Sequence, residues 1–171
     1  LSLGKGKNET IREEELKQVT ELYIYGDKAV GSFDEFETIG QHRVKNDGII
    51  HNGGISTLED LAMLKNLRKL NVAWQNISDL TPLRELYSLE QIQLKHNPIE
   101  DVAPLSSLSN LRELFIYDTF VSDLTVLSNC PMLESIDAGE TSINSIKAFA
   151  GIKGLKHLNL KKRSIATLSG I

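Results

Sequence analysis

The sequence has few of the residues that define several classes of protein. One cysteine, Cys130, stands among 171 residues, so the chain cannot form an internal disulfide and packing must hold the fold. No apolar run approaches the roughly 20 residues that a membrane-spanning helix needs. The four histidines lack metal-ligand spacing, and no serine or cysteine nucleophile has a credible base nearby. We therefore predict a non-enzymatic chain without a membrane span, a metal site or a cofactor.

The remaining composition is that of one ordinary globular domain. Hydrophobic residues make up 40% of the chain and charged residues 25%, which is enough for a continuous core. The net charge of −4 argues against general nucleic-acid binding. Nothing in the sequence demands self-association, so a monomer is favoured.

What the sequence does have is a strict internal repeat of 22 residues. A unit of this length cannot bury its own apolar face, so neighbouring units must stack around one shared core. The first apolar position is occupied by Leu70, Ile92, Leu114, Ile136 and Leu158, and the position two residues later by Val72, Leu94, Ile116, Ala138 and Leu160.

The spacing within each unit predicts its local structure. Apolar residues two apart indicate a short strand whose alternate side chains point inward. The later apolar residues lie three apart, with Pro82 or Pro104 among them, which favours a 3₁₀ or irregular return. We predict a horseshoe-shaped solenoid of the α/β type, with parallel strands on its concave face and returns on its convex face.

The unit from Leu64 to Leu83 reads Leu-x-x-Leu-x-x-Leu-x-Val-x-x-Gln-x-Ile-x-Asp-Leu-x-Pro-Leu. It resembles the 22-residue leucine-rich repeat of the bacterial internalin type, over roughly residues 10 to 171 with one interruption. This resemblance implies a binding protein and favours a secreted or surface location, while a cytoplasmic one stays open. Repeats of this family have an asparagine whose side chain bonds neighbouring backbone groups and forms a ladder along the stack. The residues at that position here differ from one repeat to the next, so we expect a degenerate ladder: Gln75, Asn97, Thr119, Thr141 and Arg163.

The first repeat is split, which sets the predicted organisation. Residues 1–9 are read as a flexible tail, and 10–171 as a single domain. Within this domain, residues 10–25 form a cap helix, which Thr10-x-x-Glu13 begins, and the first strand. Residues 26–54 form an insertion. Residues 55–171 form the regular repeats, which we expect to be truncated at the C-terminal end. In the insertion we predict a short helix over 32–37 and a hairpin of 42–44 with 49–51 around Asn46-Asp47-Gly48. The insertion is either a binding element or a structural flap.

The outward positions of the strands define a concave face that is richer in aromatic residues than the chain average of 6%. Exposed tyrosine and tryptophan often carry the binding energy at interfaces. A competing explanation is that aromatic residues favour strands and pack on neighbouring rungs. The predicted partner-binding residues are Tyr23, Tyr25, Trp74, Lys95, His96, Phe115 and Tyr117.

The leading functional hypothesis is a non-catalytic module that binds a protein or peptide on this face. A second hypothesis is a regulatory or sensor segment of a larger multidomain protein. A third is glycan binding, because aromatic rings also stack on sugars. The sequence leaves the identity of the partner open.

Overall fold

The computed structural model describes residues 12–46 and 51–161. Two helices, α1 (Glu13–Leu16) and α2 (Phe33–Asn46), lie near the start of the described chain. The strands are β1 (Glu21–Tyr25), β2 (Lys28–Val30), β3 (Lys69–Ala73), β4 (Gln91–Gln93), β5 (Glu113–Phe115), β6 (Ser135–Asp137) and β7 (His157–Asn159). Short 3₁₀ helices form the returns at Glu59–Met63, Thr81–Leu83, Ala103–Ser107, Thr125–Asn129 and Ile146–Phe149.

The strands form one seven-stranded sheet in the order β2-β1-β3-β4-β5-β6-β7. All neighbours are parallel except β1 and β2, which are antiparallel. Leu70 pairs with Ile92, Ile92 with Leu114 and Leu114 with Ile136, so the sheet advances by one repeat per strand. The predicted solenoid, with one coil per repeat, is confirmed in the described part of the chain.

The core is a continuous column between the sheet and the returns. The inward strand residues Leu22, Leu70, Ile92, Leu114 and Ile136 are all buried and belong to one hydrophobic cluster. Cys130 is buried in the same cluster, where it packs as a small hydrophobe, and its thiol donates to the Leu105 carbonyl oxygen at 3.3 Å. Burial raises the pKa of this thiol to about 11.

The repeated aspartates begin the 3₁₀ returns. One carboxylate oxygen of Asp79, Asp101 or Asp123 accepts the backbone N–H two residues later, at 2.8 Å in each case. Hydrogen bonds from Thr81 to Asp79, and from Thr125 to Asp123, lower the pKa of both carboxyl groups. Ser145 replaces the aspartate in a later repeat and accepts from the Lys147 N–H at 3.3 Å.

The buried polar position after each strand is degenerate, as predicted for the described repeats. Gln75 and Asn97 bridge neighbouring coils, because their amides donate to Gly26 and Val72 carbonyl oxygens of the preceding coil. The hydroxyls of Thr119 and Thr141 instead donate to carbonyl oxygens three residues earlier. Threonine has a shorter side chain, and its hydroxyl bonds within its own coil. Arg163 lies outside the described residues.

At the N-terminal cap, the predicted short helix is present as α1. The carboxylate of Glu15, rather than that of Glu13, accepts the N–H of Arg12 at the start of this helix, at 2.8 Å. Thr10, the predicted cap residue, lies outside the described residues, as do the predicted tail and the residues after 161. The domain boundaries therefore stay predictions.

The insertion contains a strand and a long helix. Strand β2 folds back on β1 through the two residues Gly26 and Asp27, and Gly26 has the positive φ of 56° that glycine tolerates in such a turn. Ser32 begins α2, because its hydroxyl accepts the Glu35 N–H at 3.2 Å while the Glu35 carboxylate accepts the Gly31 N–H at 2.9 Å.

The helix predicted over 32–37 is therefore present but extends to Asn46. The hairpin prediction was wrong, because residues 42–44 continue this helix instead of forming a strand. Residues 47–50 lie outside the described part of the chain. An Asp-Gly pair is also common where a helix ends, and the sequence pattern alone does not separate the two readings.

Candidate functional site

The concave face carries two rows of outward side chains that run across the strands. The register of the sheet sets these rows, because each strand pairs with the next at equivalent repeat positions. The middle row consists of Tyr23, Asn71, Gln93, Phe115, Asp137 and Asn159. The end row, two residues further along each strand, consists of Tyr25, Ala73, Lys95, Tyr117, Gly139 and Lys161.

Helix α2 lies over the first part of this face. Phe36 is 2% exposed and contacts the rings of Tyr23 and Tyr25, with centroids 6.4 Å and 5.2 Å away. The two tyrosines retain only 4% and 7% exposure. The prediction that they form an exposed patch was wrong, because the insertion folds back onto them and buries their rings.

The hydroxyl of Tyr23 has a local partner in its buried position. It donates to a carboxylate oxygen of Glu21 at 2.7 Å, and Glu21 also pairs with Lys69 at 2.9 Å. Desolvation, followed by the hydrogen bond to Glu21, raises the pKa of Tyr23 well above its usual range. Tyr23 therefore serves the packing of the cap.

A strained column borders the end row. Trp74, His96, Asp118 and Glu140 occupy the repeat position directly after the strand segment, and their φ angles lie between 54° and 58°. Residues other than glycine seldom adopt this left-handed conformation. The ring of Trp74 stacks on His96 with centroids 3.8 Å apart and planes 23° from parallel. The column therefore holds large side chains in ordered contact along the edge of the face.

His96 is the centre of these contacts. Its Nδ1 lies 2.7 Å from a carboxylate oxygen of Asp118, and its ring meets Tyr117 edge-on at 5.4 Å. Desolvation lowers the pKa of His96 and outweighs the opposite effect of Asp118. The lowered pKa favours the neutral imidazole beside Asp118.

A groove of about 510 Å³ lies between α2 and the concave sheet. Lys95 and Tyr117 form part of its floor, and the Lys95 ammonium is 5.5 Å from the centre of the Phe115 ring. Gly139 lets the Tyr117 ring lie across the next strand, since a Cβ there would come within 2.9 Å of Tyr117 Cδ2. The lining residues are Tyr25, Phe36, Glu37, Gly40, Gln41, Ala73, Lys95, His96, Tyr117, Asp137 and Asn159.

The structure brings most of the predicted binding residues to this groove, in different roles. Lys95, His96, Tyr117 and the edge of Tyr25 line it. Phe115 adjoins it beneath Lys95, and Trp74 lies behind His96. Tyr23 is absent from its lining. Whether these residues bind a partner stays a prediction.

Sequence reasoning missed the α2 wall and two polar floor residues. Phe36, Glu37, Gly40 and Gln41 come from the insertion, whose packing on Tyr25 the repeat does not encode. Asp137 and Asn159 occupy predicted concave positions, but an emphasis on aromatic residues leaves them out of the predicted site. The Ser32-x-x-Glu35 capping box is the sequence signal that indicates α2.

Within residues 12–46 and 51–161, histidine, cysteine, aspartate and glutamate side chains form no group of three that would hold a metal ion. No helix in the same ranges has the length and apolar character to cross a bilayer.

Comparison with known proteins gives matches among solved structures alone. No family model matches the chain, and no curated protein matches it. An internalin C2 from Listeria monocytogenes is 28% identical with a TM-score of 0.59, over 62% of this chain and 47% of the other. Internalin inlF from the same organism is 21% identical with a TM-score of 0.56, over 91% and 52%. A leucine-rich-repeat protein of Leptospira interrogans is 24% identical with a TM-score of 0.58, over 64% and 29%.

These neighbours share the repeat that the sequence pattern and the sheet register define. The chain has a leucine-rich-repeat fold and is similar in structure to the two internalins. It spans about half the length of the two internalin structures, 47% and 52% of them. Solenoids with this architecture present extended concave surfaces for binding, which supports a non-catalytic binding role at the level of the family.

Proposed function

We propose that this internalin-like chain binds a segment of another protein in the groove between α2 and the concave sheet. The observation that carries this proposal is the groove itself, which combines an aromatic wall with charged and amide groups on one curved surface. Its volume of about 510 Å³ is within the usual range for sites that enclose a ligand. A peptide of a few residues fits such a space.

Tyr117 is the residue expected to contribute most of the binding energy. Its ring is partly exposed, held across Gly139, and lines the same groove as Tyr25 and Phe36. A ring that is already ordered loses little conformational entropy when a partner covers it. Trp74 contributes less directly, because His96 already covers one face of its indole.

The test begins with selection of dodecapeptides from a random display library on the full chain. The Kd of the enriched peptides is then measured by fluorescence anisotropy for the wild type, Tyr117→Ala and Tyr87→Ala. We expect Tyr117→Ala to weaken binding about tenfold or more, as a central interface tyrosine does. Tyr87 is the matched control, because it is 55% exposed and is not among the groove residues.

Circular dichroism of both variants shows whether the fold is retained. Equal affinities of Tyr117→Ala and the wild type for every selected peptide would show that the groove is not the binding surface. A loss of affinity in Tyr87→Ala alone would place the binding site outside the groove.

The glycan hypothesis has less support from the arrangement of the rings. Sugar rings stack on open aromatic faces, whereas His96 covers Trp74 and α2 covers Tyr23 and Tyr25. The sensor hypothesis concerns domains outside this chain and is compatible with peptide binding in the groove. The compartment and the oligomeric state stay predictions.

A further inference from the structure

The charges around the groove differ from those on the flank of the solenoid. On the flank, the guanidinium of Arg68 pairs with Glu90 at 2.8 Å, and the ammonium of Lys156 pairs with Glu134 at 3.1 Å. Two carboxylates that line the groove, Glu37 on α2 and Asp137 on β6, have no cation within ion-pair distance among the residues that the structure describes. The groove therefore contains negative charge that the described chain does not neutralise.

Other acidic groups extend this charge along the same face. Glu113 precedes the middle row on β5 and also lacks an ion pair within the described ranges. Asp118 lies beside His96, with one carboxylate oxygen 2.7 Å from Nδ1 of the ring.

The lysine residues that the structure describes on this face do not balance these groups. Lys69 is paired with Glu21 and contributes no net charge. Lys95 is the lysine that lines the groove, and its ammonium is drawn over the Phe115 ring. Lys161 is exposed at the far end of the end row. Among the residues whose side chains the structure describes, carboxylates outnumber lysines around the groove, and concave walls concentrate the resulting field.

We propose that the segment held in the groove is basic, and that it places a lysine or arginine side chain between α2 and the end row. This inference rests on the proposed function. The aliphatic part of such a side chain would pack against Tyr25, Phe36 and Ala73 on the α2 side of the groove. Its cationic head would meet the carboxylate of Glu37 or Asp137.

Tyr117 favours the same class of ligand. A cation above a tyrosine ring is attracted by the negative face of the aromatic system, and arginine also stacks on it. Tyr117 stands between Lys95 and Gly139 in the end row and lines the same groove as Glu37 and Asp137. Aromatic and anionic groups that line the same groove recognise a cation better than either does alone.

The experiment uses the full chain and two pools of fluorescent dodecapeptides with the same aromatic and apolar content. One pool carries lysine and arginine, and the other carries aspartate and glutamate at the same positions. We expect the basic pool to bind more tightly, with an affinity that falls as salt rises. Glu37→Gln and Asp137→Asn should each weaken it about two- to five-fold, the range for one exposed ion pair.

Lys95→Met provides the sharpest test. A preference for basic peptides predicts that this variant binds its peptides more tightly, whereas a preference for acidic peptides predicts weaker binding. Removal of this lysine should strengthen binding of the basic pool about two-fold or more, since a repulsion is lost. Glu100→Gln is the control for loss of a carboxylate, because Glu100 is exposed and is not among the groove residues. Lys147→Met, exposed on the last described return, is the control for loss of a lysine.

The outcomes separate this inference from the proposed function. Preference for the acidic pool, with weaker binding in Lys95→Met and continued dependence on Tyr117, would overturn the inference and leave the proposed function intact. Binding of both pools that does not depend on Tyr117 would overturn the proposed function, and the inference with it. Equal affinity of the two pools with dependence on Tyr117 would also overturn the charge preference.

Discussion

At the scale of single residues, the groove depends on side chains held in conformations that few residues adopt. Trp74 and His96 stack while both have positive φ angles, and a residue in this region costs on the order of 1 kcal/mol or more. The stacking and the His96–Asp118 contact offset this cost. The same contacts fix the edge of the groove where a ligand would lie.

Gly139→Ala tests how closely Tyr117 depends on the missing side chain beneath it. The new Cβ would lie 2.9 Å from Tyr117 Cδ2 and 3.1 Å from the Lys161 carbonyl oxygen. We expect a loss of about 1 to 3 kcal/mol in the free energy of unfolding from overpacking, and weaker binding of the peptides selected on the wild type. Urea unfolding and anisotropy measure the two effects.

The control for this variant is Gly54→Ala. Gly54 is exposed, and a Cβ there meets no atom within 4 Å. A Gly139→Ala protein as stable as this control, with unchanged peptide affinity, would contradict the close packing of the Tyr117 ring.

His96 gives the folded chain a dependence on pH. Burial lowers its pKa in the folded state, so the unfolded chain binds the proton more tightly. The contribution of His96 to the free energy of unfolding is fully present above its unfolded pKa of about 6.5. It declines as the pH falls from there toward the lower folded pKa. We expect the free energy of unfolding to fall more steeply between pH 7.5 and 5 in the wild type than in His96→Gln.

Urea unfolding at several pH values in this interval measures the two slopes. The interval lies above the ordinary pKa of the aspartates, so their titration contributes little. Parallel slopes in the two proteins would show that the pKa of His96 is not lowered by folding.

At the scale of elements, each return begins with a side chain that replaces a backbone hydrogen bond. Short 3₁₀ helices make few internal bonds, and their first N–H groups need an outside acceptor. Asp123 provides one for Thr125 through its backbone N–H at 2.8 Å, and accepts the Thr125 hydroxyl at 3.0 Å. This explains why aspartate recurs at the same place in successive repeats.

Asp123→Ala removes both hydrogen bonds, and we expect the free energy of unfolding to fall by about 1 kcal/mol at pH 7, as for the loss of a helix cap. Asp123→Asn keeps an acceptor oxygen and should lose less. The two hydrogen bonds lower the pKa of Asp123 in the folded state. Its contribution to the free energy of unfolding is therefore present above the pKa of the unfolded chain and is lost as the pH falls through the folded pKa. Equal losses for the two variants in urea unfolding would show that the carboxylate acts through its charge alone.

At the scale of the whole molecule, stability comes from the stacking of coils. The ion pairs that link neighbouring coils on the flank, such as Arg112 with Glu134 at 3.7 Å, are exposed and individually weak. The buried column through Leu70, Ile92 and Leu114 contacts the next coil at every step. Each coil therefore depends on both of its neighbours for burial.

Leu114→Ala should therefore destabilise the whole solenoid. Leu114 is completely buried in the interior strand β5, and we expect a loss of about 3 to 5 kcal/mol in the free energy of unfolding. Met63→Ala removes a side chain that is 55% exposed, so its effect should stay below about 1 kcal/mol. Urea unfolding that gave similar losses for the two variants would contradict a single continuous core.

The repeat by itself determines most of this architecture. A strict 22-residue period of apolar residues leaves one way to bury all of them, which is to stack the coils in register. The inward column, the 3₁₀ returns, the buried cysteine and the degenerate polar ladder all follow from that local pattern. Lys95, His96 and Tyr117 are found in the same way, because their repeat positions place them on the concave face.

Only the tertiary structure decided what the insertion does, because its residues do not repeat and their contacts lie far away in the sequence. Phe36 packs on Tyr23 and Tyr25, which turns two predicted binding residues into core and forms the wall of a groove with Glu37 and Gln41. A periodic pattern fixes how neighbouring coils pack. It carries no information on where a non-repeating helix docks, since that depends on the free energy of one particular interface.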